Sequence, residues 1–564
     1  MPKAIQKNER PRGGETSENT GETRVKLSPE RGKSAASWWR WGWRVAGLFC
    51  VGFFLVLISR FYSQATGFTS LVSIGAKLGI IEMPVLKATP HYTYEDSFGY
   101  DGAYYLQIAL DPLLQDPALA KSVDNLPYRA KRILLSWVAW ALGGGRPFWV
   151  IHIYPVLNVG SWLLLAALLW RWFPLNNASN FLRWAGMLFS HGVCMSVRHS
   201  LVDLPGLLLV AAAVALVEGG WRKSGTAMLA VATLGKETSV LALPAFLRWG
   251  QPGWRPWVGL AARGAVVGLP LLAWIVYIRW QIGPSREMGL NNFALPLMGF
   301  FEKWLTMLGE IARDGWMRPH VVTMVTVIAL TVQGIFVLVR WRPQAIWWRV
   351  GLPFALLMVM VTAPVWEGYP GAASRVVLPL TLAFNVLVPA GRRWLPVLVL
   401  GNLSVFAGLA EMDPPIRDFY QLQGERHFTK SVVVERGTGW YQAESDGKKS
   451  WRWARDHATL RLTNRGAVPV AVRMSCRLSA FTDRNFGLRV NGQEIWSTPL
   501  WPAARPHEFP VIVVPPGETA VVEFATDAPS MRLENGDPRE LSLCVFGLII
   551  DVARAEPVPQ GGGV

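Results

Sequence analysis

The chain is 564 residues long, 51% hydrophobic and only 17% charged, with 29 tryptophans and a net charge of +17. A soluble protein carries roughly a quarter charged residues, so this deficit, together with repeated long apolar runs, excludes a soluble globular class and points to a polytopic membrane protein. The positive charge is no argument for nucleic acid, because Lys and Arg of such proteins gather in cytoplasmic loops and beside anionic headgroups.

Residues 1–36 are polar, rich in Gly, Ser, Glu and Lys, and read as a disordered tail. The first apolar run, "VAGLFCVGFFLVLIS", follows Arg40 and Arg44 and is not followed by a small-residue cleavage site, which predicts a retained signal anchor. Spans are predicted at about 45–62, 148–170, 181–197, 201–218, 224–247, 257–279, 319–340, 350–365, 375–390 and 394–410. Breaks rich in cations, from Arg171 to Arg393, belong on the cytoplasmic side. The long loop 63–147, the break "SVRHSLVD", the loop 280–318 and "APVWEGYPGAASR" belong on the other.

The segment 224–249 carries Lys236 and Glu237 at its middle. A charged pair at the centre of one span is costly, so two half-spanning helices are expected, turning at that pair. The fold class that follows is a polytopic α-helical domain, 37–410, of ten to eleven spanning segments including the broken pair. The tail is then cytoplasmic, and loop 63–147 and everything after residue 411 are extracytoplasmic.

After a linker at 411–424, residues 425–555 change character to short alternating strands. Asn491-Gly492 is a two-residue hairpin signal, and Pro515, Pro516 and Gly517 make a second turn. An all-β sandwich of jelly-roll type is expected, ending in a flexible tail, 556–564. Cys50 and Cys194 lie in apolar runs, whereas Cys476 and Cys544 have the option of a disulfide if this domain is exported.

The ionisable residues on the non-cytoplasmic side are the candidates for chemistry. Asp101 precedes "GAYYLQIAL". It is placed either to cap a helix or, flanked by Tyr100, Tyr104 and Tyr105, to take a proton from a hydroxyl nucleophile. Glu95 and Asp96 share its loop, so the base is any of the three. Arg129, Lys131 and Arg132 accompany an apolar face over 126–142, which predicts a helix lying in the interface. These cations either snorkel to headgroups or clamp a lipid phosphate through paired Arg bonds.

Arg198 and His199 precede Asp203 and Pro205, a helix start that Asp203 either caps or shares with the site. His199 is a candidate hydrogen-bond donor, and no partner stands at a metal-ligand spacing from it. Lys236 and Glu237 form either an ion pair or part of a site lined by broken helices. Arg375 either anchors a helix end or joins Glu367 on the same side. Trp440, Trp451 and Trp453, with Tyr441, either pack the β domain or offer a platform for stacking sugars. P-loops, dinucleotide fingerprints, catalytic triads and zinc spacings are absent from the sequence, so any transferred group is not expected to come from a cytosolic nucleotide sugar.

The pattern Tyr100-Asp101-Gly102, Tyr104-Tyr105, Ile108-Ala109, Asp111-Pro112, then Tyr128-Arg129 and Arg132-Ile133-Leu134, resembles bacterial polytopic glycosyltransferases of the GT-C class. "SLVDLPGLLL", "LGKETSVLALPA" and "SRVVLPL" extend the resemblance over residues 45–410, and the β domain looks like those appended to such enzymes. The resemblance implies transfer of a sugar, with inversion, from a polyprenyl-phosphate donor to a cell-envelope glycan or lipid acceptor. It places the reaction on the extracytoplasmic face of the bacterial inner membrane and makes Asp101 the base. Tyr100, Tyr105, Arg129, Arg132, Arg198, His199, Asp203, Lys236, Glu237, Glu367 and Arg375 then handle substrate. No cofactor is implied, and a divalent metal stays open because relatives differ in metal use. Two rival readings are a lipid or glycan transporter and a non-catalytic scaffold for polysaccharide assembly.

Overall fold

This computed structural model describes residues 31–554, apart from 63–65, 76–81, 95–96, 98, 284–292, 294, 368–371, 415–417, 422–425, 429–431, 446–449 and 533–536. The apolar runs form helices, which satisfy their own backbone N–H and C=O groups as hydrocarbon requires. Five helical stretches among the described residues are long and apolar enough to cross a membrane: Trp41–Ser59, Pro147–Leu169, Arg255–Ile282, Arg318–Val339 and Arg392–Glu411. Ile346–Met360 and Leu378–Leu387 are apolar but shorter. Asp203–Glu218, with 16 residues, rises about 24 Å against a hydrocarbon core of about 30 Å. The single span expected at 181–197 is two helices, Ala178–Leu188 and His191–Arg198, parted at Ser190. The structure therefore supports a helical domain with membrane-length helices, but not ten to eleven full spans.

The expected break in 224–249 is present. The helix Arg222–Gly235 stops at Lys236, whose backbone is extended, and a 3-10 helix runs from Glu237 to Phe246. The two charged residues do not pair with each other: Lys236 pairs with Asp203, and Glu237 with Arg132. The helical core is closed by large side chains such as Phe54 stacked on Trp162, with ring centroids 3.7 Å apart.

The first loop packs with neighbouring helices around a second core, in which its Tyr105, Leu106, Ile108, Leu119 and Ile133 are buried with Tyr154, Val202, Leu234 and Trp274. A two-stranded parallel pair, Ile74–Gly75 with Thr93–Tyr94, closes the first part of this loop. The expected helix over 126–142 is instead two, Leu126–Arg129 and Leu134–Leu142. Asn125 caps the first by accepting from the Tyr128 N–H at 3.1 Å, and Arg132 lies in the break, turned toward Glu237.

The C-terminal region is all-β. Its first antiparallel sheet runs in the order Gln493–Leu500, Arg484–Val490, Thr519–Thr526, His457–Asn464, Val432–Arg436, Arg426–Phe428. The second runs Arg505–Glu508, Val470–Ala480, Leu543–Arg554, Ser450–Ala454, Trp440–Ser445. Both contribute to one core, with Leu460, Val522 and Phe524 from the first and Val472, Leu478 and Ile550 from the second. The expected hairpin is present between Arg484–Val490 and Gln493–Leu500, with Asn491 and Gly492 both at positive φ, 49° and 86°. Cys476 and Cys544 are free buried thiols. Cys544 stands opposite Ser479, and alternation puts Ser479 and Cys476 on opposite faces of their strand, so the disulfide is not formed.

Candidate functional site

Tyr100 and Asp101 are delivered to the helical domain by close backbone contact. The Tyr100 N–H bonds the Ser73 carbonyl at 2.9 Å. Gly102 lies against the carbonyl of His199, where a Cβ would collide with that backbone. Asp101 opens the helix Asp101–Leu110 without a side-chain capping bond. Asp203 likewise opens Asp203–Glu218 without one. The capping reading of both acids is thus corrected: their carboxylates turn to cations from distant segments.

Asp101 Oδ1 lies 2.9 Å from Arg129 Nη1, and its Oδ2 lies 4.0 Å from Arg375 Nη2. Arg375 donates to Asp203 Oδ2 at 3.1 Å and to the Tyr100 hydroxyl at 2.8 Å. Lys236 forms the second ion pair of Asp203. Arg129 also bonds Asp124 through two nitrogens, at 3.0 and 2.9 Å. Arg132 makes the matching two-point pair with Glu237, at 2.8 and 2.6 Å, and donates to the hydroxyls of Tyr105 and Tyr128. Eight charged side chains from four well-separated stretches of sequence thus form adjoining ion pairs.

The remaining two candidates adjoin the same network. Arg198 donates to the Ser73 hydroxyl at 2.9 Å, the Ser70 carbonyl at 3.2 Å and the Tyr94 hydroxyl at 3.1 Å. Among the described residues it has no carboxylate partner. His199 Nδ1 bonds the Ser73 hydroxyl at 2.8 Å, and its ring lies 4.5 Å from that of Tyr100. Burial pushes the Tyr100 phenol up despite the opposing Arg375 charge, so it stays a hydrogen-bonding group rather than an anion. Burial also raises Asp124, but the Arg129 hydrogen bond and charge outweigh it and hold the carboxyl below its usual range.

These differences separate the acids. Asp203 is 6% exposed and compensates two cations; Glu237 and Asp124 are each locked in a two-point Arg pair. Asp101 is 29% exposed, holds one Arg at contact distance and keeps its second oxygen beyond hydrogen-bond reach of Arg375. It is the acid of the cluster best placed to accept a proton. Glu95 and Asp96 lie outside the described residues, and Glu367 ends the helix Ala363–Glu367 with its side chain outside them. Among the described residues no group of three or more His, Cys, Asp or Glu side chains is arranged to hold a metal ion.

Beside this network lies a cavity of about 440 Å³ that shares Arg198 and His199 with it and is also lined by Ser374, the neighbour of Arg375 in sequence. Its other polar walls include His191, Lys303 and Glu411. Sequence reasoning missed these three. Lys303 belongs to an ordinary-looking amphipathic helix, Met298–Asp314, His191 sits inside a predicted span, and Glu411 ends the last one. The available signal was that the ends of the loop 280–318 and of the last span fall on the same side as Asp101.

The three tryptophans of the β domain do not form one platform. Trp440 packs on the sandwich core through Phe524, with its indole N–H donating to the Thr459 carbonyl at 2.8 Å. Trp451 and Trp453 alternate with buried Arg452 and Ala454 and so point to the opposite face. There Trp453 stacks on Phe481 at 4.3 Å and Trp451 lies 5.9 Å from Phe546.

No family model matches the chain, and no curated protein matches it. Among solved structures, a ruminal GH26 endo-β-1,4-mannanase overlaps 22% of this chain and 21% of its own, at 13% identity and a TM-score of 0.13. An overlap that slight carries no argument about fold or function.

Proposed function

We propose that this chain is a membrane glycosyltransferase of GT-C type, moving a sugar from a polyprenyl-phosphate donor to a cell-envelope glycan or lipid acceptor. The observation that carries the proposal is Asp101: a 29% exposed carboxylate with one oxygen beyond hydrogen-bond reach of Arg375, set among Arg129, Arg375 and Tyr100 beside helices of membrane length. In this reading the shorter helices complete ten to eleven membrane segments, the β domain is jelly-roll-like, and the reaction faces the extracytoplasmic side of the bacterial inner membrane.

Asp101 takes the proton of an acceptor hydroxyl as that oxygen attacks the anomeric carbon. The new glycosidic C–O bond forms on the face opposite the phosphate, the old C–O bond breaks, and its electron pair leaves on the phosphate oxygen. Arg129 and Arg375 hold the Asp101 carboxylate in position, and a cation farther along the network offsets the charge developing on that leaving group. Asp203 holds Arg375 in position, while Lys236 shares the cost of burying that carboxylate. Arg132 and Glu237 fix the broken helix against the first loop, so the reacting groups are oriented before substrate arrives.

The test is transfer of radiolabelled sugar from a polyprenyl-phosphate donor by the purified chain in liposomes. Asp101→Asn is expected to lower turnover by about 10²–10⁴-fold, the usual contribution of a general base, with normal insertion and solubilised size. Turnover within about threefold of the parent removes Asp101 from the role of base.

A further inference from the structure

A second concentration of charge lies away from Asp101. The helix Arg222–Gly235 ends beside Lys236 and begins at Arg222, about 20 Å away by the rise of an α-helix. The sequence holds no Asp or Glu between Glu218 and Glu237, between Glu237 and Glu287, or between Asp314 and Glu367. Arg222, Arg248, Arg263 and Arg349 all fall in those stretches.

The fold draws these four arginines around one element, the 3-10 helix Glu237–Phe246. Arg349 donates to its Pro244 carbonyl at 3.0 Å and its Ala245 carbonyl at 3.4 Å, and Arg222 donates to its Phe246 carbonyl. Arg248 stands two residues beyond that end. Arg263 lies on the helix Arg255–Ile282, where a Cβ on the next residue, Gly264, would meet Leu243 of the same 3-10 helix at 3.0 Å. Arg222 is within electrostatic range of Arg263 and Arg248, and Arg349 of Arg222. Carbonyls at a helix C-terminus favour cations, but they amount to only about half an elementary charge. Among the described residues none of the four arginines has a carboxylate partner, and Glu218 is taken by Arg171 at 3.1 Å.

Exposure divides the roles. Arg349 is buried and spends its donors on four backbone carbonyls, so it supplies field rather than contacts. Arg222 and Arg263 are half-buried and Arg248 is exposed. Arg263 bonds only the Gly259 carbonyl of its own helix, and the Arg248 side chain has no bond among the described residues. Most of the five N–H donors of these two guanidinium groups are therefore unspent. Trp221, Trp249 and Trp254, close by in sequence, are exposed, and exposed indoles collect at the headgroup level of a bilayer. The arginine fork suits phosphate oxygens, which it meets with paired bonds. We infer that Arg222, Arg248 and Arg263 bind the phosphodiester headgroup of an anionic phospholipid. The acyl chains run along the exposed Val258, Val266 and Leu269 of the helix Arg255–Ile282, apolar contacts that a free phosphate lacks. Anionic headgroups concentrate in the cytoplasmic leaflet, the side on which the positive-inside rule is expected to place these arginines. The inference is independent of the glycosyl transfer proposed above.

The experiment is native mass spectrometry of the full chain in detergent, titrated with phosphatidylglycerol, cardiolipin or phosphatidylcholine at matched concentrations. Both anionic lipids are expected to bind more tightly than phosphatidylcholine. The paired change Arg248→Gln and Arg263→Gln should weaken them about tenfold, the scale of losing one charge-assisted hydrogen bond. Neither side chain bonds another segment, so folding is preserved, and a melting temperature equal to the parent's checks this. Arg248→Gln alone, at an exposed position, should give a smaller loss of the same sign. The control pair Arg465→Gln and Arg473→Gln, exposed on the β domain, should leave binding intact. Equal binding of anionic and zwitterionic lipids overturns the inference, as does anionic binding that survives the paired change. Inorganic phosphate is the competing probe. Displacement of the lipid at phosphate concentrations near the lipid's own Kd assigns the arginines to a free anion and overturns the lipid assignment, whereas lipid retained against excess phosphate supports it. Binding is read without donor or acceptor, so a failed transferase assay leaves this site standing.

Discussion

Asp203 illustrates how one buried residue organises the cluster. It is 6% exposed and faces two cations, Lys236 and Arg375. Removing its charge takes the contact carboxylate from both, leaving Arg375 only Asp101 at 4.0 Å, whereas removing Lys236 leaves the Asp203–Arg375 pair whole. Asp203→Asn is therefore expected to cost on the order of 3–5 kcal/mol, and Lys236→Met distinctly less. Thermal unfolding of the purified variants in detergent checks the order; a larger loss for Lys236→Met contradicts it. The sequence draws attention to both residues, because charges at membrane depth are rare, and leaves open a pair between the lysine and its neighbour Glu237 that the structure does not form. Adjacent residues on either side of a helix break leave in different directions, so each found its partner on another segment.

At the scale of elements, the first loop and the helix His191–Arg198 meet at a glycine. Gly102 touches the His199 carbonyl with no room for a methyl group. Gly102→Ala is expected to push the two elements apart, at a cost of about 1–3 kcal/mol, and to separate Asp101 from Arg375. The measurement is paired: a lowered melting temperature together with a transfer rate reduced at least as much as that of Asp203→Asn. An unchanged rate with an unchanged melting temperature contradicts the contact. The helix start at Asp101 was legible as a turn followed by an apolar pattern. The tight approach was not, since Gly102 reads in sequence as ordinary turn chemistry. The split of 126–142 was similarly hidden. Its break falls at the cations Arg129, Lys131 and Arg132, of which Arg132 bonds Glu237 on another segment.

Over the whole molecule, the order of parts predicts sidedness. Arg392 and Arg393 open the last membrane-length stretch and Glu411 closes it, after which the β domain begins. By the positive-inside rule the two arginines are expected to face the cytoplasm. In a background with Cys50, Cys194, Cys476 and Cys544 replaced, Arg393→Cys is expected to resist a membrane-impermeant maleimide added outside. Arg465→Cys, exposed on the β domain, is expected to react. The reverse pattern inverts the topology and moves Asp101 to the cytoplasmic side.

The amino-acid pattern alone determined that a helical, membrane-adapted part precedes an all-β part, that 224–249 breaks at Lys236, and that Asn491-Gly492 turns a hairpin. Each follows from local rules: hydropathy over a span, the cost of a charge within it, and the positive φ of a two-residue turn. Which cation meets which carboxylate was decided only by the tertiary structure, as were the length of the actual helices and the cavity walled by His191, Trp366 and Glu411. Ion pairing and cavity shape depend on side chains brought together from segments far apart in the chain, and no local periodicity records those distances.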